Sequence, residues 1–397
     1  MTSIVASIIY VVIIAYIAII DCVYMIELVF GLFNNKKSEY LAGDNLSIAI
    51  LMPAHNEQDT LSRSENLLKS LQENSVRIVV VADNCTDATA EVAASAGCEV
   101  VTRRDSALRG KGFALAAGVD HLKDSPPDVV VILDADCEID MVSLLLIAYR
   151  AVDLNRVVQA AYLFRPDLKG PALIQISNFA FFVKNLVRQR GGARIGAAAI
   201  LTGSGVAFPW RLISTLDLGT PNIVEDLALG VELVQREEYP YFEEGATVWS
   251  EASTLAGTQV QRSRWESGFI KTAALLAVPM VMDGFRRRNF KIFWMGMHLA
   301  VPPLSILLAL NYLYIIFSLA RFYYDHEAIF LVICLILNVG IFISTFLAWA
   351  IDGRSYMSGS ALLALPHYFL SKMSLYAQLV FRRRSVGWVR TERSRKD

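Results

Sequence analysis

The sequence predicts an α/β domain accompanied by membrane-spanning helices. Three observations predict it. Short, wholly apolar runs alternate with helical patterns between residues 47 and 136. Those runs finish in polar residues, several of them carboxylates. Long apolar stretches lie outside this region, at 4–33 and over much of 290–350, and they lift the hydrophobic share of the 397 residues to 54%, above that of an ordinary soluble chain.

The first strand is "SIAILMP" (47–53), stopped by proline, and a helix follows over about 58–73. "RIVVVAD" (77–83) is a second strand. "CTDATAEVAASAG" (85–97) reads as a turn and a helix closed by Gly97. "EVVTR" (99–103) is a third strand, "KGFALAAGVDHLK" (111–123) a helix, and "DVVVILDAD" (128–136) a fourth strand. Strands that are apolar throughout, with helices between them, imply a parallel α/β sheet covered on both faces. Ligands in such sheets bind beyond the carboxyl ends of the strands. His55, Asn56, Glu57, Asp83, Asn84, Asp134 and Asp136 all fall there. Side chains two apart on a strand point the same way, so Asp134 and Asp136 are expected to address one ligand. A divalent cation suits them, because Mg²⁺ and Mn²⁺ prefer oxygen donors.

The N-terminal run 4–33 has no basic leader and no small-x-small cleavage site, so it reads as a spanning helix and not as a signal peptide. Asp21 and Glu27 inside it read as the interfacial end of that helix; contact with other membrane helices is the alternative. Lys36 and Lys37 follow, which places the middle domain on the cytoplasmic side. Further spans are expected over about 291–320 and 328–351, joined by "RFYYDHEA". The stretch 360–381 contains Pro366, His367 and Lys372 and reads as an interfacial or re-entrant helix. The basic tail "FRRRSVGWVRTERSRK" is expected at the cytoplasmic membrane surface. A formal net charge of −1 argues against a nucleic-acid partner. Five scattered cysteines offer neither a disulfide framework nor zinc spacing, and Cys85, Cys98 and Cys137 fit a reduced compartment. "PAHNEQ" after the first strand, in place of G-x-G-x-x-G, sets aside a dinucleotide oxidoreductase.

Seven short motifs occur in order: "PAHNE" (53–57), "VVADNCTD" (80–87), "RGKG" (109–112), "DAD" (134–136), "GSGVAF" (203–208), "VEDLALG" (224–230) and "QRSRW" (261–265). With their apolar flanks, they resemble the membrane-embedded family 2 glycosyltransferases, inverting enzymes related to cellulose, chitin and hyaluronan synthases. The resemblance implies a GT-A nucleotide-sugar-binding domain with a Rossmann-like mixed sheet over 34–290, including an interfacial helix at about 266–288. It implies a transmembrane helix over 1–33, two more over 291–351, and an interfacial or re-entrant helix with a cytosolic tail over 352–397.

The same resemblance implies roles. Pro53, Ala54, His55, Asn56 and Glu57 would line the nucleotide pocket, and Asp83 would accept hydrogen bonds from uracil or ribose. Lys111, between Gly110 and Gly112, would contact the donor. Asp134 and Asp136 would engage its diphosphate through Mg²⁺ or Mn²⁺, and Arg264 would pair with the same group. Asp226 would be the general base, supported by Glu225; the family usually has Thr where this chain has Val224. Gly203, Ser204 and Gly205 would face the acceptor. Gln261 and Trp265 complete Q-x-x-R-W, with the indole as a flat surface for a sugar ring. The implied reaction passes a sugar from a UDP-linked donor to an acceptor hydroxyl at the cell membrane, in exopolysaccharide or cell-surface glycan synthesis. Q-x-x-R-W favours chain extension, with an export partner or a homo-oligomer to complete a channel. A single addition to a lipid-phosphate or lipid-linked saccharide is the alternative. A non-catalytic nucleotide-sugar sensor is a further one, and the base at Asp226 argues against it.

Overall fold

The protein is described from a computed structural model covering residues 2–33, 45–220, 225–251 and 255–382. It divides into two compact units. The first to consider holds residues 35–165 and 198–269 and is built on an eight-stranded sheet. Its strands are β1 (Ile48–Ala54), β2 (Arg77–Asp83), β3 (Glu99–Arg103), β4 (Val129–Ile132), β5 (Cys137–Ile139), β6 (Val158–Phe164), β7 (Val206–Pro209) and β8 (Tyr241–Ser250). The spatial order is β3-β2-β1-β4-β7-β6-β8-β5.

β1 runs parallel to β2 and β4, and β2 parallel to β3. β7 then reverses direction against both β4 and β6, so the sheet is mixed. Leu51, Val79, Val81 and Val130 are buried on these strands, with Ala114, Leu115, Val119 and Leu122 of the Lys111–Leu122 helix in the same cluster. Each fully buried aliphatic side chain of this kind stabilises the fold by roughly 1.5–3 kcal/mol. Register places Ala54 beside Ala82 and Asp83 beside Arg103. The carboxyl ends of β1, β2 and β3 therefore finish at one edge, which is where the polar residues gather.

One strand is shorter than its sequence suggests. β4 stops at Ile132, and Asp134 and Asp136 lie in the turn between β4 and β5. Strand alternation is thus not what brings these carboxylates together.

The second unit holds residues 1–34, 166–197 and 270–389. Residues 166–197 and 270–290 fall in this unit, with the long helices. Among the described residues, four helices are long and apolar enough to cross a membrane: Ile8–Gly31, Arg264–Arg286, Leu304–Asp325 and Ile329–Ile351. The expected span at 291–320 is two helices, Phe290–Ala300 and Leu304–Asp325. Pro302 and Pro303 cause the break, because proline lacks the amide a helix needs and disfavours helical backbone before it. The stretch read as 360–381 forms a short 3₁₀ turn, Gly359–Ala364, and a helix, Leu365–Arg382. Lys36, Lys37, Val224 and the tail beyond 382 lie outside the described residues.

Asp21 and Glu27 are both buried, not at an interfacial helix end. Asp21 accepts from Asn311 Nδ2 at 2.8 Å, and Asn311 Oδ1 accepts from Asn338 Nδ2 at 3.1 Å. Glu27 accepts from Arg188 Nε at 2.7 Å and Trp294 Nε1 at 3.1 Å, and lies 2.8 Å from His298 Nδ1. A charge among apolar helices is costly unless partnered; Arg188 supplies an opposite charge for Glu27, whereas Asp21 meets the neutral amide of Asn311.

Candidate active site

The loops after β1 and β2 are fastened to each other. His55 Nδ1 lies 2.7 Å from the carbonyl of Asp83, and the amide of Thr86 donates to Asn56 Oδ1 at 2.7 Å. The Glu57 amide donates to Thr89 Oγ1 at 2.9 Å, while its carboxylate accepts from Thr60 Oγ1 at 2.6 Å. Asn56 and Asn84 adopt positive φ (55° and 52°), a conformation asparagine tolerates. Pro53 and Ala54 end β1 beside Val81 and Ala82. The buried Asp83 carboxylate pairs with Arg103 Nη1 at 2.7 Å and accepts from Asn84 Nδ2 at 3.0 Å. Arg103 is a site residue that the sequence reading missed. Its only signal was a basic residue closing an otherwise apolar strand.

The acidic centre forms from three separate parts of the chain. One ligand atom from each of Asp134, Asp136 and Cys137 lies within 4.8 Å of the others. Lys111, at the start of its helix, places Nζ 2.7 Å from Asp134 Oδ1 and 3.7 Å from Glu225 Oε1, and donates to the Gly203 carbonyl at 2.6 Å. Glu225 and Asp226 open the Glu225–Gln235 helix, where the helix dipole favours negative charge. Asp226 Oδ1 accepts from the Leu227 amide at 2.8 Å.

This crowding shifts the acids and the lysine apart. Burial raises the Asp134 carboxyl, against the pull of Lys111, and nearby Asp136 raises it further. Burial likewise lifts Glu225 to about 7, opposed by Lys111 and assisted by Asp226. Burial works against the charge on Lys111, but Asp134, Glu225 and Asp226 outweigh it and hold the ammonium above the ordinary lysine range. Burial, then Asp136 and Asp134, push the Cys137 thiol well up, so it stays neutral. Two carboxylates with a neutral thiol fit a hard oxygen-seeking cation held by Asp134 and Asp136, with Cys137 adding no charge.

The glycine-rich loop behaves differently from its acceptor-facing expectation. Ser204 is fully buried, and its Oγ accepts from the Asp134 amide at 3.1 Å. It therefore positions Asp134 and presents no surface to an acceptor. Gly205 is buried too; a methyl there would lie 2.5 Å from Val248 Cγ2, so it serves close packing on β8. Gly203 does face the site: a methyl would lie 3.1 Å from Asp226 Oδ2 and 3.4 Å from Lys111 Nζ. Gln159 of β6, unremarked in the sequence, is what shapes this loop. Its Oε1 accepts from the Thr202 amide at 2.9 Å, and its Nε2 donates to the Ser204 carbonyl at 3.0 Å. A lone glutamine in a buried apolar strand was the available signal.

Beside Asp226 opens a pocket. Lys111, Glu225 and Asp226 border it, and Leu115, Ile132, Leu201, Phe208 and Leu229 make its lining largely apolar. On the Leu255–Arg286 helix, Arg264 comes within electrostatic reach of Glu225, Asp134 and Asp136. The Trp265 ring centroid is 6.5 Å from that of Phe164, and Arg262 lies over the same Phe164 ring at 5.1 Å. The side chain of Gln261 lies outside the described residues.

Residues 49–198 match the model of Glycosyl transferase family 2. A stretch of 100 residues is 32% identical to the 4,4'-diaponeurosporenoate glycosyltransferase of Staphylococcus haemolyticus (strain JCSC1435), and takes in 24% of this chain and 25% of that one. The match thus spans about a quarter of the length of that curated relative. Among solved structures, the mannosyltransferase PcManGT from Pyrobaculum calidifontis, in complex with GDP-Man and Mn²⁺, is similar with a TM-score of 0.52. That likeness covers 84% of this chain and 99% of the other at 16% identity, and it is a likeness of fold.

Proposed function

We propose that this chain, with its family 2 glycosyl transferase domain on a GT-A fold, is an inverting transferase. It moves a sugar from a nucleotide diphosphate donor, UDP-linked in our reading, to an acceptor hydroxyl at the cytoplasmic face of the cell membrane. The observation that carries this reading is the convergence on Lys111. That side chain joins Asp134, from the turn after β4, to Glu225, from a helix ninety-odd positions later. Acids suited to a diphosphate's counter-ion and acids suited to a base thus share one site.

In this reading the β1 and β2 loops hold the nucleoside, with Asp83 kept in place by Arg103. Asp134 and Asp136 hold a divalent cation, Mg²⁺ or Mn²⁺, which when bound neutralises charge on the departing diphosphate. Arg264 adds a fixed positive charge on the same side. Asp226 takes the acceptor proton as the hydroxyl attacks, and a single displacement inverts the anomeric centre. Burial lifts Glu225 to about 7, so it keeps a proton more readily than an ordinary glutamate and is suited to supporting Asp226. Trp265, packed on Phe164, offers the acceptor a flat face.

The acceptor distinguishes two versions. Q-x-x-R-W supports chain extension, in which a glycan is the acceptor. The apolar cavity beside Asp226 supports a single addition to an acceptor with an apolar portion, and so does the name of the Staphylococcus haemolyticus relative, which specifies 4,4'-diaponeurosporenoate and no polymer. Purified protein in lipid, supplied with labelled nucleotide sugars, Mg²⁺ or Mn²⁺ and a lipid extract, separates them by product size. A ladder of long products means extension, and one organic-extractable product means single addition. Asp226→Asn is expected to cut transfer at least about a hundredfold while donor binding persists. Undiminished transfer by that variant sinks the base assignment.

A further inference from the structure

We infer that Lys111 is a resident counter-cation for the donor site, so that a divalent cation binds well only together with the nucleoside diphosphate. The inference rests on the transferase reading above and makes Lys111 a positioning residue within it.

The geometry gives the ammonium little freedom. Lys111 Nζ lies 2.7 Å from Asp134 Oδ1, while donating to the Gly203 carbonyl at 2.6 Å. Both partners hang on one brace. Gln159 ties down the loop through Thr202 and Ser204, and Ser204 Oγ in turn accepts from the Asp134 amide at 3.1 Å. The loop that carries the Gly203 carbonyl and the backbone of Asp134 are thus tied together by buried and part-buried hydrogen bonds. The lysine also opens its helix, where the backbone adds partial positive charge.

A dication at Asp134 and Asp136 has to share Asp134 with this ammonium. Charge repulsion at a few ångströms is strong in a partly buried site, where screening is weaker than in water. With no other ligand present, Lys111 already compensates Asp134 and opposes the ion. A nucleoside diphosphate reverses the balance, because its phosphates carry enough negative charge to accommodate both cations. Ion and nucleotide then bind with positive coupling, and by linkage each raises the affinity for the other equally. An ordinary donor-contacting lysine behaves otherwise. Its loss weakens nucleotide binding and leaves the affinity for Mn²⁺ alone unchanged.

The test is Mn²⁺ binding to the full chain in detergent, without nucleotide and with saturating UDP or GDP, followed by loss of the free-ion paramagnetic resonance signal beyond that in protein-free samples at the same nucleotide concentration. Wild-type affinity is expected to rise at least about tenfold on adding the better nucleotide, a coupling of about 1.4 kcal/mol. Lys111→Met is expected to bind Mn²⁺ alone at least about tenfold more tightly than wild type and to lose most of the coupling. Lys111→Arg keeps the charge and the wild-type pattern. Wild-type protein that binds Mn²⁺ equally well with and without nucleotide overturns the inference without any variant. So does an unchanged Mn²⁺ affinity in a folded Lys111→Met or Lys111→Gln. Wild-type protein that binds neither nucleotide nor Mn²⁺ overturns the transferase reading itself, and this inference with it.

Discussion

Replacing Gly203 by alanine separates the position of the proposed base from the stability of the fold. Gly203 has φ +86°, a region that costs an L-residue roughly 1–2 kcal/mol. The new methyl would also lie 3.1 Å from Asp226 Oδ2 and 3.4 Å from Lys111 Nζ. The first separation is tighter than ordinary van der Waals contact, so the carboxylate must retreat by a few tenths of an ångström. Displacing a reacting group by about 1 Å can cost on the order of a hundredfold in rate, so a shift of this size should lower kcat by roughly three- to thirtyfold. Gly196→Ala is the control. Gly196 has nearly the same φ, +84°, and a methyl there meets nothing within 4 Å. Both variants should lose about 1–2 kcal/mol of stability, read as a fall in melting temperature, while only Gly203→Ala loses kcat. Nucleotide affinity, measured by calorimetry, should stay within about threefold of wild type in both. Wild-type kcat in Gly203→Ala, or an equal loss of kcat in Gly196→Ala, refutes the reasoning.

Two further expectations concern charge. Burial, assisted by Asp226, raises Glu225 from 4.5 to about 7 in the folded protein, so the folded state keeps a proton that the unfolded chain gives up. The stabilisation from that proton is complete below about pH 4.5 and disappears as pH rises through about 7, a change of about 3 kcal/mol at most. Melting curves of wild type and Glu225→Gln across this window should show the variant gaining relative stability as pH rises; parallel curves would refute the shift. In the helical unit, Glu27→Gln removes the negative member of a buried group containing Arg188 and His298 and should cost about 3–5 kcal/mol. The joint exchange Glu27→Leu with Arg188→Met should restore most of that stability in detergent denaturation. A single variant as stable as wild type would show that the cluster contributes little.

Much of the first half of the sheet-bearing unit was legible because its signals are local. "SIAILMP", "RIVVVAD" and "EVVTR" are apolar runs with clear ends, and they form β1, β2 and β3 near the expected residues. The later strands were harder to read. β5 is three residues long, β7 is four, and both gain their partners from distant segments. Asp134 and Asp136 do come together as expected, but through a turn and not through strand alternation. Ser204 is expected to face an acceptor because its loop resembles the family's acceptor-side loop. The fold buries it under the Asp134 amide.

By itself, the sequence determined the chemistry at hand. It supplied an alternating α/β region, carboxylates placed at strand ends, an acidic helix start at Glu225 and Asp226, and long apolar segments suited to a membrane. These follow from composition and short-range periodicity, which every stretch of chain carries within itself. Only the tertiary structure decided which charges meet. Lys111 reaches Asp134, Gly203 and Glu225; Arg103 holds Asp83; Glu27 finds Arg188 and His298. Such partnerships are contacts between residues far apart in the chain. They are chosen because a buried charge must be compensated wherever the packed backbone brings an opposite charge within reach, and no local pattern records which partner that will be.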